Sequence, residues 1–159
     1  MKEFFEKNKV FVITIGVLIT GGSIYLLSKQ VLLPPPPESG IVTKIIDGDT
    51  VIIEGKYKIR LLGIDADELK EPCYEPAKSR LGELVLNKKV ILEKDQTDID
   101  QYRRFLRYIF AENQNINLQL IKEGLAEHLF YESSLKYKEE IIRAENEAKM
   151  NKVGCEWRR

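Results

Sequence analysis

The chain has a single histidine, His128, and that scarcity removes whole classes of chemistry at once. Without a second imidazole, a histidine-based metal cluster has no ligand set, and a Ser-His-Asp triad is nearly excluded. An excess charge of either sign is also missing: Lys plus Arg and Asp plus Glu each total 25, for a net charge of zero. There is therefore no basic coat for binding polyanions, and any phosphate must be gripped locally. Only two cysteines are present, Cys73 and Cys155. At 159 residues the chain has room for one domain with a real core plus something small, and no internal repeat is visible.

What is present begins with a separate N-terminal object. From Val10 to Ser28 no residue is charged. Such a run, wound as a helix, spans about 28 Å, close to the hydrocarbon thickness of a bilayer. Lys2, Lys7 and Lys9 precede it and favour a cytoplasmic N-terminus for residues 1–9. A cleaved signal peptide is the rival reading, which would release the domain as a secreted protein. Its apolar region is usually shorter and ends at an Ala-x-Ala-like site, which Tyr25-Leu26-Leu27-Ser28 does not offer. A buried globular helix of this length would show an amphipathic period, and this run has none. The expectation is an uncleaved transmembrane helix over 10–28. Pro34 to Pro37 then make a stiff spacer, rising about 3.1 Å per residue, within a linker over 29–40. The globular domain is expected over 41–159, on the far side of the membrane.

Within that domain, Ile41–Ile46 and Thr50–Glu54 read as strands joined across Asp47-Gly48. Lys56–Ile64 reads as a third strand after the Glu54-Gly55 turn. Pro76–Leu86 has apolar residues at helical spacing, and Val90–Glu93 and Phe105–Phe110 are two more strands. Helices follow over Asn117–Lys122 and Leu135–Met150, the second with Tyr137, Ile141, Ala144 and Ala148 on one face. Five short strands with about three helices predict an α+β fold built on a small closed barrel of the OB type.

Charged residues fall at the ends of these apolar strands: Asp49, Arg60 and Asp65, with Glu68 just beyond. Carboxylates at neighbouring strand ends can gather an oxygen-lined metal site, with an arginine between them as a phosphate-binding cation. That set suits metal-assisted phosphodiester hydrolysis.

The order of these residues carries a resemblance. Val42-x-x-Ile45-Ile46-Asp47-Gly48-Asp49-Thr50-Val51 and Arg60-Leu61-Leu62-Gly63-Ile64-Asp65-x-x-Glu68 are similar to motifs of the thermonuclease (staphylococcal nuclease-like) family. Asp100-Gln101-Tyr102-Arg103-Arg104-x-Leu106-x-Tyr108 and Leu120-Ile121-x-x-Gly124-Leu125-Ala126 match its later blocks, so the resemblance runs from Ile41 to about Val153. Four separated blocks in the right order are specific, where a lone Asp-Gly-Asp would mean little. The resemblance implies an OB barrel and calcium-dependent hydrolysis of DNA and RNA. It implies Asp49, Asp65 and the backbone carbonyl of Ala66 as Ca²⁺ ligands, with Asp47 a turn or outer residue. Glu68 corresponds to the general base, and Arg60 and Arg104 to the two catalytic arginines. Base-stacking aromatics would fall at Phe130 or Tyr131, where core packing is an equal alternative, and His128 is a bystander. Two departures stand out: Ala66 replaces the usual Thr, which spares a carbonyl, and Asp67 replaces the usual Pro, which unlocks the loop and adds charge.

In an exported domain the two cysteines invite one Cys73–Cys155 disulfide, worth roughly 4 kcal/mol in the chain-entropy model; two unrelated thiols are the alternative. The sequence therefore reads as a membrane-anchored, outward-facing nuclease. The other class is a non-catalytic OB-fold module binding nucleic acid or protein, which has no need to keep Asp49, Arg60, Asp65, Glu68 and Arg104 together. No obligate protein partner is called for, and a monomer is expected.

Overall fold

In the computed structural model, residues 33–131 and 136–158 are described. The chain opens on β1 (Ser39–Ile45), β2 (Thr50–Ile53) and β3 (Tyr57–Leu61), an antiparallel meander. β-Branched residues dominate it, and Val42, Val51, Ile53 and Ile59 point into the core with no exposed surface. The turn between β2 and β3 passes through left-handed backbone at Glu54 (φ 51°) and Gly55 (φ 68°), which matches the right-handed twist of the paired strands. β4 (Gly63–Asp65) and α1 (Tyr74–Val85) follow, then β5 (Lys89–Glu93) and β6 (Phe105–Ala111). β5 pairs antiparallel with β1 and β6, and β6 pairs in parallel with β3. The ring β1-β2-β3-β6-β5 is thus a closed five-stranded barrel, as the sequence predicts, and closure removes the exposed sheet edges.

Three helices cover the barrel among the described residues. α1 begins at Tyr74, two residues before the expected Pro76. Pro76 falls within the first turn, where its missing N–H costs nothing. A two-residue strand β7 (Gln114–Asn115) leads into α2 (Ile116–Lys122), whose cap Asn115 accepts from Leu118 N at 3.1 Å. β8 (Glu127–Leu129) pairs with β4, and α3 (Lys138–Met150) buries Ile141, Ala144 and Ala148 on the expected face. Leu135, expected as the first residue of that helix, lies outside the described residues. β1 starts at Ser39, two residues ahead of Ile41, and Glu38 O already accepts from Leu92 N.

The expected third strand over Lys56–Ile64 is corrected: it breaks at Leu62 into β3 and β4. Gly63 adopts φ +78°, a region that glycine alone enters freely, so the chain turns there and β4 leaves the barrel to pair with β8. Asn117, fully buried on α2, holds the break open. Its amide donates to Leu62 O at 2.8 Å, and its Oδ1 accepts from Ile109 N at 3.0 Å.

Among the described residues no helix is long and apolar enough to cross a membrane. The run over 10–28 read as an anchor lies outside the described residues.

Cys73 and Cys155 are bonded, with Cα atoms 5.5 Å apart, so the expected disulfide is present.

Candidate active site

The break after β3 creates the site. β3 ends in Arg60-Leu61, and the turned backbone brings β4 and Asp65 back across the Arg60 side chain. The Arg60 guanidinium is only 3% exposed. Its Nη1 donates to the carbonyls of Leu61 and Ile64, each at 2.6 Å. Its Nη2 donates to Asp65 Oδ1 at 2.6 Å and pairs with Asp49 Oδ2 at 3.1 Å. Two carboxylates from separate strand ends therefore converge on one nitrogen, and the planar fork of an arginine suits four acceptors at once.

Asp49 is the buried member of the pair, held from three sides. Thr50 Oγ1 donates to its Oδ1 at 2.9 Å, and Ala66 N donates to its Oδ2 at 3.1 Å. Asp47 Oδ1 accepts from Asp49 N at 3.2 Å, which makes Asp47 a turn residue. Gly48 sits where a Cβ would lie 2.6 Å from Ala66 Cβ and 2.7 Å from Ala77 Cβ. Only glycine lets this loop lie so close to the Ala66 strand end and α1. Burial pushes the Asp49 carboxyl up to about 6; Arg60 opposes that shift and Asp47 adds to it. Asp65 by contrast is more than half exposed, so the pair presents one dry and one wet carboxylate.

Arg104 reaches the same place from the loop before β6. Asp100 builds that loop: its Oδ1 accepts from Tyr102 N and Arg104 N, each at 2.9 Å, and its Oδ2 accepts from Arg104 Nε at 2.6 Å. Arg104 Nη1 lies 3.4 Å from Thr50 Oγ1, which itself binds Asp49, so the two arginines flank one carboxylate cluster. Burial works against the Arg104 charge, but the Asp100 hydrogen bond and the charges of Asp100 and Asp49 outweigh it and raise its pKa. Tyr102, largely exposed, packs its ring 5.5 Å from the Arg104 guanidinium carbon.

Asp49, Arg60, Asp65, Ala66 and Arg104 are thus brought together. Glu68 shares no hydrogen bond or ion pair with them: it stands exposed on the loop between β4 and α1, three positions past Asp65, where its backbone N donates to Glu71 Oε2 at 2.5 Å. Phe130 is partly buried against His128, with ring centroids 5.3 Å apart, and beneath Lys138 Nζ. Tyr131 is near enough for its phenol to influence Arg104. His128 is taken up structurally: its Nδ1 meets Glu145 Oε2 at 2.9 Å.

Three residues that position the site carried no role in the sequence reading. Asp100 orders the Arg104 loop, Thr50 links Arg104 to Asp49, and Asn117 holds the strand break. Asn117 had a partial signal, a short amide among apolar residues from Ile116 to Ile121, shared with Gln119; Thr50 had none, since threonine is ordinary in a strand.

A guanidinium buried between two converging carboxylates, at the rim of a closed OB-type barrel, defines a class of site made for charged, oxygen-rich chemistry. The family model described as "Staphylococcal nuclease homologue" matches residues 58–158. A thermonuclease of Staphylococcus intermedius is 34% identical over 92% of this chain and 98% of its own length. One from Staphylococcus hyicus is 33% identical over 86% of this chain and 92% of its own length. The endonuclease YncB of Bacillus subtilis is 39% identical over 69% of this chain and 57% of its own length. The chain belongs to the staphylococcal nuclease homologue family.

Proposed function

We propose that this protein is a nuclease, a calcium-dependent hydrolase of phosphodiester bonds in DNA and RNA. It is carried on an N-terminal single-pass anchor over 10–28, with the barrel outside the cytoplasm. The observation that carries the catalytic reading is the convergence of Asp49 and Asp65 on Arg60 Nη2, with Arg104 joined to the same cluster through Thr50.

The donor set fits a hard divalent cation. Asp49 and Asp65 supply hard oxygens, one of them in a dry setting that disfavours its charge until a cation is near. Asp49, Asp65 and the Ala66 carbonyl would hold Ca²⁺, which would stabilise negative charge on the phosphoryl oxygens. Arg60 and Arg104 bind the phosphate and stabilise the charge that grows on it in the transition state. Arg60 already spends Nη1 on two carbonyls, so it meets the phosphate through Nη2, where Asp65 gives way. Glu68 takes the proton of the attacking water, drawn to it by the loop after β4. Phe130 or Tyr131 offers a ring to a base.

The pKa of Asp49 gives this reading a pH signature. Its folded value, about 6, lies above the ordinary 3.8, so below about pH 6 a proton occupies the carboxylate that calcium requires. Calcium affinity is expected to be flat above that pH and to fall about tenfold per unit below it. Isothermal titration with calcium between pH 5 and 8 checks this.

Asp100→Asn keeps the turn-forming oxygen but weakens the grip on Arg104 Nε. It should lower kcat by about tenfold, as loss of a supporting partner does. Arg104→Ala should cost on the order of 10²-fold. Steady-state kinetics on a short oligonucleotide compares the two.

Binding and cleavage of single-stranded DNA and RNA, measured side by side at millimolar calcium, separate this reading from a binding module. Cleavage supports the nuclease; retention without product makes the chain a binding module. For the anchor, full-length chain that stays with membranes through a carbonate wash supports it, and release of a chain starting near Val31 replaces it with a signal peptide.

A further inference from the structure

We propose that the Cys73–Cys155 disulfide is a redox-operated latch that sets where the Glu68 loop sits relative to the Asp49–Asp65 pair; its effect on turnover rests on the role given above to Glu68. Cys73 is the residue that caps α1, and Cys155 lies in the tail after α3, 82 positions later. The loop between β4 and α1 is pinned at its start, where Ala66 N donates to Asp49 Oδ2. At its far end it is fastened by Cys73. Between those points Glu68, Leu69, Lys70, Glu71 and Pro72 are all exposed. Their hydrogen bonds close turns inside the loop: Glu71 N donates to Glu68 O at 2.9 Å and Tyr74 N to Glu71 O at 3.3 Å. Lys70 holds φ at +83°, a strained conformation for a side chain with a Cβ, so this turn persists only while its ends are fixed.

The tail that carries Cys155 is itself tied to the other side of β4. Glu156 N donates to Gly124 O at 3.1 Å, and Gly124 begins the turn that leads into β8. β8 pairs with β4, placing Glu127 opposite Asp65. The bond therefore closes a circuit from the metal-ligand strand through β8, the tail and Cys73 back to the loop bearing Glu68. Carboxyl oxygens of Asp67 and Glu156 lie within 4.8 Å of each other and of Cys73 Sγ, and Asp67 Oδ2 accepts from Cys73 N at 2.8 Å.

The latch is reachable. Cys73 is fully buried, but Cys155 is partly exposed and lines an open cleft with Pro76, Leu125, Gly154 and Arg158. A dithiol reductant attacks there as a thiolate. The S–S bond breaks, Cys73 and Cys155 take up two electrons and two protons as thiols, and the reductant leaves as its own disulfide. Asp49, Arg60 and Arg104 are held by one another, by Thr50 and Asp100 and by the backbone from Leu61 to Ala66, all outside the exposed stretch 68–72, so opening the latch moves that stretch and spares them.

The test compares full-length protein in its oxidised form with protein reduced by excess dithiol and alkylated. Amide exchange at 66–73 should speed up on reduction while that of β1–β3 stays fixed. kcat on an oligonucleotide should fall about tenfold or more with KM within about twofold, because positioning is lost and binding is not. The double variant Cys73→Ala/Cys155→Ala should reproduce the reduced state without alkylation. In Glu68→Gln, reduction should cost no further activity. Unchanged exchange at 66–73 overturns the latch whatever the activity does. An equal fall in kcat on reduction in Glu68→Gln overturns its action through Glu68. If Glu68→Gln alone leaves kcat intact, the base assignment fails, while the exchange data still decide whether the latch exists.

Discussion

Arg60→Ala should be the most damaging single substitution in the barrel, on two separate readouts. Four acceptors depend on this one side chain: the carbonyls of Leu61 and Ile64, and the carboxylates of Asp49 and Asp65. Removing it leaves Asp49 buried beside Asp47 and Asp65 with Arg104, held off through Thr50, as the cation of the cluster, and breaking a buried pair in this way costs about 3–5 kcal/mol. Turnover should fall on the order of 10²-fold or more, since the lost charge acts where the transition state becomes more negative. The two effects separate experimentally. Calcium takes over part of the neutralising role, so the thermal midpoint of Arg60→Ala should rise more steeply with added calcium than that of the wild type. Its kcat should stay low at temperatures where it is folded. Arg60→Lys retains a charge but cannot span four acceptors, so it should recover part of the stability and little of the rate.

The second large effect is on calcium. Asp49→Asn keeps the shape, and its Oδ1 still accepts from Thr50 Oγ1, but the charge is gone. Loss of a mere supporting partner weakens metal sites about 10–100-fold, so loss of a direct ligand charge should weaken calcium binding on the order of 10²-fold or more. Metal-free stability should lose its dependence on the ionisation of Asp49. Burial disfavours ionised Asp49 by more than Arg60 favours it, since the carboxyl sits at about 6. Stability tied to that raised pKa is complete below 3.8 and lost as pH rises through 6. Asp49→Asn removes that pH dependence, but its Nδ2 then faces Ala66 N–H and Arg60 Nη2, which meet Oδ2 in the wild type. The metal-free variant should therefore melt below the wild type at low pH, with the gap narrowing as pH rises through about 6. Calorimetry with and without calcium reads both effects, and a neutral variant that binds calcium like the wild type removes Asp49 from the ligand set.

How much of this was legible in the sequence depended on whether a residue works through its own chemistry or through a neighbour's. Asp49, Arg60 and Asp65 could be read because they fall together, in order, within blocks similar to a known family's motifs, where Asp49 alone would pass for a turn residue after Gly48. The five barrel strands followed from β-branched alternation, and the cysteine pairing from there being only two. The break at Leu62–Gly63 was hidden because Leu61 to Ile64 is apolar and reads as the continuation of the strand. Part of its cause lies far along the chain, in Asn117, and part in the way Arg60 folds back onto the carbonyls of Leu61 and Ile64. β8 was equally silent: Glu127-His128-Leu129 is exposed throughout, with no alternation to mark a strand. The use of Arg60 as the hub of the carboxylate pair could not be seen either, since a strand arginine facing a substrate has the same sequence as one turned onto its own backbone.

The central claim is that this carboxylate and guanidinium cluster cuts phosphodiester bonds with calcium. It is tested most directly by one reaction: full-length protein with single-stranded DNA or RNA, calcium at millimolar concentration, then excess chelator, then calcium restored. The account predicts cleavage that stops on chelation and resumes on restoration. Cleavage that continues in chelator, or intact substrate throughout, would contradict it.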